Sequence, residues 1–316
     1  MILLTEKRST KIGAALLIFA MVLRLLTGAP ALEKDSPVTS IQKLPFVPTN
    51  AQTAPTETVA PKPVIPSFTA SDGDKTGLRY SCNYRVEIGK LLEKDLQWQL
   101  DDGEPAVLIL HTHGSESYTR ELGQNYQETS QYRTLDEHYN MVAVGDLLAQ
   151  LLQQAGIQVI HDRQLHDYPS YNASYGNSRK SVKDYLQEYP SIRLVLDLHR
   201  DAGENSDGSQ FATHAKVDGK ESAQIMFLVG TDESGNYHPQ WQDNLAVAAK
   251  LNVLMENQNP GITRKTTLRA QRFNQDLGEI ALLVEVGSAG NTLQEALTAI
   301  PILADAIIAL KNGANW

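Results

Sequence analysis

The stretch RLVLDLH, residues 193–199, is apolar almost throughout. A run of this kind reads as a strand covered on both faces, the condition of strands in a sheet flanked by helices. AVLILH (106–111), QIMFLV (224–229) and IALLVEV (280–286) share that character, and Ile157–His161 is a shorter strand of the same kind. The segments between them carry helical spacing. In Tyr139–Ala155 the apolar positions are Met141, Val144, Leu148, Leu151 and Leu152, and Gly156 follows where a helix ends on glycine. Ser178–Tyr189 stops at Pro190, Asn244–Asn257 is a further helix, and Thr292–Lys311 is the last. Alternation of buried strands with helices predicts an α/β fold with a sheet covered by helices.

Sites in open α/β sheets gather at the carboxyl ends of strands. Three strands here end in acid–base or metal-binding side chains. The first runs into His111-Thr112-His113-Gly114-Ser115-Glu116, the third into Asp197-Leu198-His199-Arg200-Asp201, and the fifth carries Glu285 inside its apolar run. An unpaired carboxylate inside a core costs several kcal/mol, so Glu285 needs a partner or a pocket. A histidine with a glutamate three residues later, closed by a distant histidine, makes a three-ligand zinc site with one open position. A further glutamate beside the open position serves as general base. His113, Glu116, His199 and Glu285 supply those parts. The remaining histidines, His138, His161, His166, His214 and His238, read as structural or surface residues.

Composition removes other classes. The 28 basic and 37 acidic residues give a net charge of −9, which opposes a phosphate-neutralising nucleic-acid binder. Cys82 is the one cysteine, so an internal disulfide and a multi-thiolate zinc site are both excluded. No G-x-G-x-x-G, Walker or G-x-S-x-G sequence occurs at a strand end. Lys7, Arg8 and Lys11 precede an apolar run from Ile12 to Leu32 broken by Arg24, the layout of a signal anchor or, with Ala29-Pro30-Ala31 as a cleavage site, a signal peptide. Eight of the fourteen prolines fall between Pro30 and Pro66, which makes that stretch an extended tether. The expected organisation is a membrane segment at 1–32, a disordered linker at 33–77 and a catalytic domain at 78–316 outside the cytoplasmic membrane.

LHTHGSESYT (110–119), YNMVAVGDLL (139–148), HDYPSYNASY (166–175), LVLDLHRDA (194–202), QIMFLVGT (224–231), RFNQDL (272–277) and LLVEVGSAGNTLQEAL (282–297) resemble, in order, the stage II sporulation protein P family. The resemblance implies a Rossmann-like, phosphorylase/hydrolase-type sheet and a zinc-dependent peptidoglycan hydrolase of the N-acetylmuramoyl-L-alanine amidase kind. It also implies endopeptidase cutting of stem-peptide cross-links and a stage II sporulation protein D transglycosylase as partner in engulfment. On that resemblance His113, Glu116 and His199 hold zinc, Glu285 is the catalytic glutamate, and His111 supports the ligands from behind. Glu137, at the start of the helix after the first strand, is the competing glutamate ligand; Glu116 is preferred. Arg200, Asn274 and Gln275 lie in family-like motifs and are candidates for holding substrate, although Arg200 also suits a pair with Asp201. Two other readings stay open: a zinc carboxypeptidase or endopeptidase for ordinary peptides, and a non-catalytic module that binds wall glycan.

Overall fold

Each of the five apolar runs read as strands forms one. In the computed structural model, which describes residues 65–314, the strands are β1 (Leu78–Ser81), β2 (Pro105–Leu110), β3 (Glu128–Ser130), β4 (Arg133–Thr134), β5 (Gln158–His161), β6 (Leu194–Asp201), β7 (Ala215–Val217), β8 (Lys220–Ser222), β9 (Ile225–Gly230), β10 (Thr266–Arg269) and β11 (Ile280–Ser288). The helices are α1 (Ile88–Leu92), α2 (Met141–Gln154), α3 (Ser174–Glu188), α4 (Trp241–Gln258) and α5 (Leu293–Ala309). The expected membrane segment, and the tether up to residue 64, lie outside the described residues. Among the described residues no helix is long and apolar enough to cross a membrane. Packed structure reaches upstream of Leu78, the expected start of the fold: Phe68 is buried in the main core, and a 3₁₀ turn at Ala70–Lys75 packs on α1.

Seven strands make one sheet in the order β1-β10-β9-β11-β6-β2-β5. All neighbours are parallel except β9 and β11, which are antiparallel. The sheet is therefore mostly parallel, two parallel blocks meeting at one antiparallel junction. The connection explains this. A parallel neighbour needs a long crossover, normally a helix. Between β6 and β9 the chain offers only the β7–β8 hairpin, whereas α4 separates β9 from its parallel neighbour β10.

Helix ends follow local chemistry. Asn140 caps α2 by accepting from the Val142 amide at 3.0 Å. Gly156 takes φ +88° just after α2, the left-handed conformation expected there. Thr292 and Glu295 form a capping box at the start of α5.

Strand parity sorts the side chains. Val107, Ile109, Leu194, Leu196, Leu198, Leu282 and Val284 enter the larger core. Leu108, Leu110, Val195 and Ala281 enter a smaller one with Val182 of α3. Successive strand residues point to opposite faces. Asp197 and His199 therefore continue the Val195 row, and Glu285 the Ala281 row, on the α3 face. His111 falls on the other face, toward α2.

Candidate active site

The register of β11 and β6 pairs Glu285 with His199, and that of β2 and β6 pairs Leu110 with Asp197. His113 and Glu116 follow Leu110 by a few residues and so reach the same level. Two contacts from Thr112 pin the turn. Its backbone N–H donates to Asp197 Oδ1 at 2.7 Å and its hydroxyl to Oδ2 at 2.6 Å. The His113 carbonyl then accepts from the Glu116 amide at 3.1 Å, turning the chain so that both side chains face β6.

The four expected residues come together. The rings of His113 and His199 meet edge to face with centroids 5.2 Å apart. His199 Nδ1 lies 3.6 Å from Glu116 Oε2. His199 Nε2 lies 2.9 Å from Asp197 Oδ1, but off the line of a hydrogen bond. Glu116 also faces two arginines: Arg133 NH2 at 3.2 Å and Arg200 NH1 at 3.6 Å. Glu137, by contrast, is partly exposed and pairs with Arg163 at 2.6 Å.

Charge follows from burial and neighbours. Burial, with His199 adding to it, pushes the His113 imidazole down to about 4, so its neutral, ligand-competent form prevails. Burial also works against the His199 imidazolium, but Asp197 and then Glu116 outweigh it and hold the pKa well above the usual range. Glu116 would be raised by its burial. Arg200 first, then His199, instead hold it well below the usual carboxylate range. Glu285 has the opposite balance: burial pushes it up to about 8 against the pull of His199, and its Oε2 is enclosed without a partner.

The donor types are those of zinc. No group of three His, Cys, Asp or Glu among the described residues stands ready to hold a metal ion. The His199–Glu116 pair does have ligand spacing, since two donors on one tetrahedral zinc lie roughly 3.4 Å apart. His113 Nδ1 and Glu285 Oε2 are buried atoms with no hydrogen-bond partner, while His199 turns Nδ1 toward Glu116 and Nε2 toward Asp197. Such atoms are costly unless something else satisfies them. Donor chemistry and orphaned atoms both fit the metal.

The expected supporting residues divide differently. His111 touches none of the four. Its Nδ1 faces the Leu198 carbonyl at 3.1 Å and its Nε2 faces His161 Nε2 at 2.8 Å, and His161 reaches Asp146 at 3.0 Å. It thus ties β2 to the backbone next to His199 from the opposite face of the sheet. Arg200 is buried and committed to the carbonyls of Ser117 at 2.9 Å and Tyr132 at 3.0 Å, so it braces the Glu116 loop; Asp201 pairs with Arg264 instead. Gln275 departs from its expected role. It is buried, accepting from the Gly230 amide at 2.8 Å and donating to the Leu228 carbonyl at 2.7 Å, so it holds the backbone of β9. Asn274 donates to the Tyr175 carbonyl at 2.8 Å and to Ser178 Oγ at 3.1 Å, and Ser178 in turn meets Thr112 at 2.8 Å.

Three contributors escaped the sequence reading. Asp197 had a usable signal, since it lies two residues before His199 on one strand and must share its face. Tyr171, whose ring stacks on His113 at 4.5 Å, begins a 3₁₀ turn, and Arg133 begins the two-residue strand β4; neither has a spacing that points to the site.

The model of the family described as Stage II sporulation protein P matches residues 42–308. The chain belongs to that family. Stage II sporulation protein P of Bacillus subtilis (strain 168) is 31% identical over 224 residues, covering 67% of this chain and 53% of the relative. The chain thus spans about half the length of the curated relative it matches. Among solved structures, the N-acetylmuramoyl-L-alanine amidase AmiC2 of Nostoc punctiforme is 12% identical with a TM-score of 0.40, covering 65% of this chain and 96% of that one. The CwlD amidase from Clostridioides difficile, solved with the GerS lipoprotein, is 14% identical with a TM-score of 0.40 and the same two coverages, 65% and 96%.

Proposed function

We propose that this family member is a zinc-dependent peptidoglycan hydrolase of sporulation that cuts the amide between N-acetylmuramic acid and L-alanine. One observation carries the reading: three strand ends bring His113, Glu116, His199 and Glu285 together, with His113 Nδ1 and Glu285 Oε2 buried and unpaired. His113, Glu116 and His199 would hold the metal. Zinc, when bound, supplies Lewis-acid polarisation of the scissile carbonyl and an activated water at neutral pH.

The chain's own residues do the rest. Glu285 Oε2 takes a proton from the attacking water as the new C–O bond forms. It returns that proton to the leaving nitrogen as the C–N bond breaks, so the products are a carboxylic acid and a free amine. Burial raises this carboxyl toward neutral pH in the metal-free chain, and a cation held beside it would pull it back down toward the proton-accepting carboxylate. Asp197 holds the turn that carries His113 and stands behind His199, as the carboxylate behind a metal-binding histidine commonly does.

The test is mass spectrometry of fragments released from purified wall by the protein, with zinc measured on the same sample. Free stem peptides with stoichiometric zinc are expected. Halved cross-links alone would replace the amidase assignment with an endopeptidase one, and a metal-free, inert protein would remove the enzymatic reading. The same proposal sets the catalytic domain outside the cytoplasmic membrane on its N-terminal segment, beside a stage II sporulation protein D-type transglycosylase. Protease added to wall-stripped cells should cleave it, and pull-down of that transglycosylase by the full chain should succeed.

A further inference from the structure

The loop that carries Glu116 is flanked by the β3–β4 hairpin. The Ser117 amide donates to the Tyr132 carbonyl at 2.9 Å and the Thr134 amide to the Ser115 carbonyl at 2.8 Å, which sets Arg133 directly across from Glu116. One guanidinium then meets three groups. NH2 donates to Glu116 Oε1 at 3.2 Å, and NH1 donates to Asp167 Oδ2 at 2.7 Å and Ser115 Oγ at 3.3 Å. The same Arg133 lies over the ring of Tyr171, with Cζ 4.8 Å from its centroid. Tyr171 in turn lies flat against His113, at 4.5 Å with planes 10° apart. The fork geometry and the flat stack together suit arginine and exclude a point-charge substitute.

We propose that Arg133 is a positioning residue that fixes two proposed metal ligands at once, Glu116 by the ion pair and His113 through the stacked ring of Tyr171. Its value for catalysis rests on the zinc reading above; the contact chain itself does not. Tyr171 is about half exposed (54%), so packing alone does not hold its ring in place. The guanidinium over it and the imidazole beneath it supply the restraint. Asp167 completes the clamp by taking both the Ser115 hydroxyl at 2.6 Å and Arg133, which joins the loop after β5 to the loop after β2.

The test uses the full chain with Arg133→Lys, Tyr171→Leu and Tyr171→Phe, each checked for an intact thermal transition. In zinc-competition titrations Arg133→Lys and Tyr171→Leu should bind about 10–100-fold more weakly, the usual effect of losing a group behind a metal ligand. Tyr171→Phe keeps the ring and should stay near wild type. A second readout needs no metal. In metal-free protein the His113 ring protons should be shifted upfield by the stacked tyrosine. The shift should persist in Tyr171→Phe, shrink in Arg133→Lys and vanish in Tyr171→Leu. Wild-type affinity together with an unchanged His113 signal in folded Arg133→Lys would overturn the clamp. If Arg133→Lys does not fold, the two Tyr171 variants decide, and equal affinities with equal His113 signals in them overturn it. A wild type that takes up no zinc would defeat the proposed function, while the His113 signals would still decide the clamp.

Discussion

Glu285→Gln should make the metal-free protein more resistant to rising pH while it disables hydrolysis. Burial raises the Glu285 carboxyl from 4.5 to about 8. Between those two values the folded chain holds a proton that the unfolded chain has released. Stability tied to this group is therefore complete below about pH 4.5 and drains away as pH rises toward 8. Each pH unit in that window is worth about 1.4 kcal/mol, so the loss accumulated by pH 7 is at most about 3.4 kcal/mol. Glutamine carries no such proton. The two proteins should have similar stability near pH 5, and the variant should pull ahead steadily up to pH 8. Denaturant unfolding of chelator-treated protein at half-unit pH steps would measure this. Parallel curves for the two proteins would refute the argument that the side chain is buried as the neutral acid. On the same preparations wall hydrolysis should fall by about 10²–10⁴-fold, the usual share of general acid–base catalysis. Near-normal turnover by a folded, zinc-loaded variant would remove Glu285 from the mechanism.

His113→Ala and His199→Ala should each abolish hydrolysis and reduce bound zinc; full occupancy by elemental analysis would break the proposed ligand set. Glu116→Ala should lose zinc, whereas Glu137→Ala gives up a partly exposed pair with Arg163 and should cost less than about 1 kcal/mol with zinc retained. The reverse pattern would move the ligand to Glu137. Gly145→Ala would set a Cβ against His161 Nε2 and within 2.6 Å of His111 Nε2, in a region with no spare room. Crowding of this kind costs about 1–3 kcal/mol, and an unaltered thermal midpoint would show that the two histidines can move aside.

The central strands were legible because they are apolar on both sides, a pattern with few other uses. Glu285 and His199 were legible for the complementary reason, since an ionisable residue in such a strand must have a purpose or a partner. The antiparallel entry of β9 was harder to see. It depends on the absence of a helix between β6 and β9, information held by the connection and not by the strand. β10 is four residues long, Thr266–Arg269, with mixed polarity, and is a strand because β9 and β1 flank it. Gln275 misled for a physical reason: an amide beside a site can bind substrate or backbone, and composition does not distinguish them. Arg133 could not be found from local sequence, because its partners Glu116, Asp167 and Tyr171 meet only after three loops fold together.

The antiparallel junction has a practical consequence. It sends the carboxyl ends of β1, β9 and β10 to the rim opposite His113 and Glu285. The turn after β9 belongs to that rim: Tyr84, just beyond β1, donates to Asp232 at 2.7 Å, and Gly235 sits at an open turn with nothing near its missing side chain. A fluorescent protein or affinity handle spliced between Ser234 and Gly235 would sit on the far side of the sheet from the chemistry. That makes the turn a sound place to attach a reporter, or to immobilise the protein on a support with the rim of His113 and Glu285 outward.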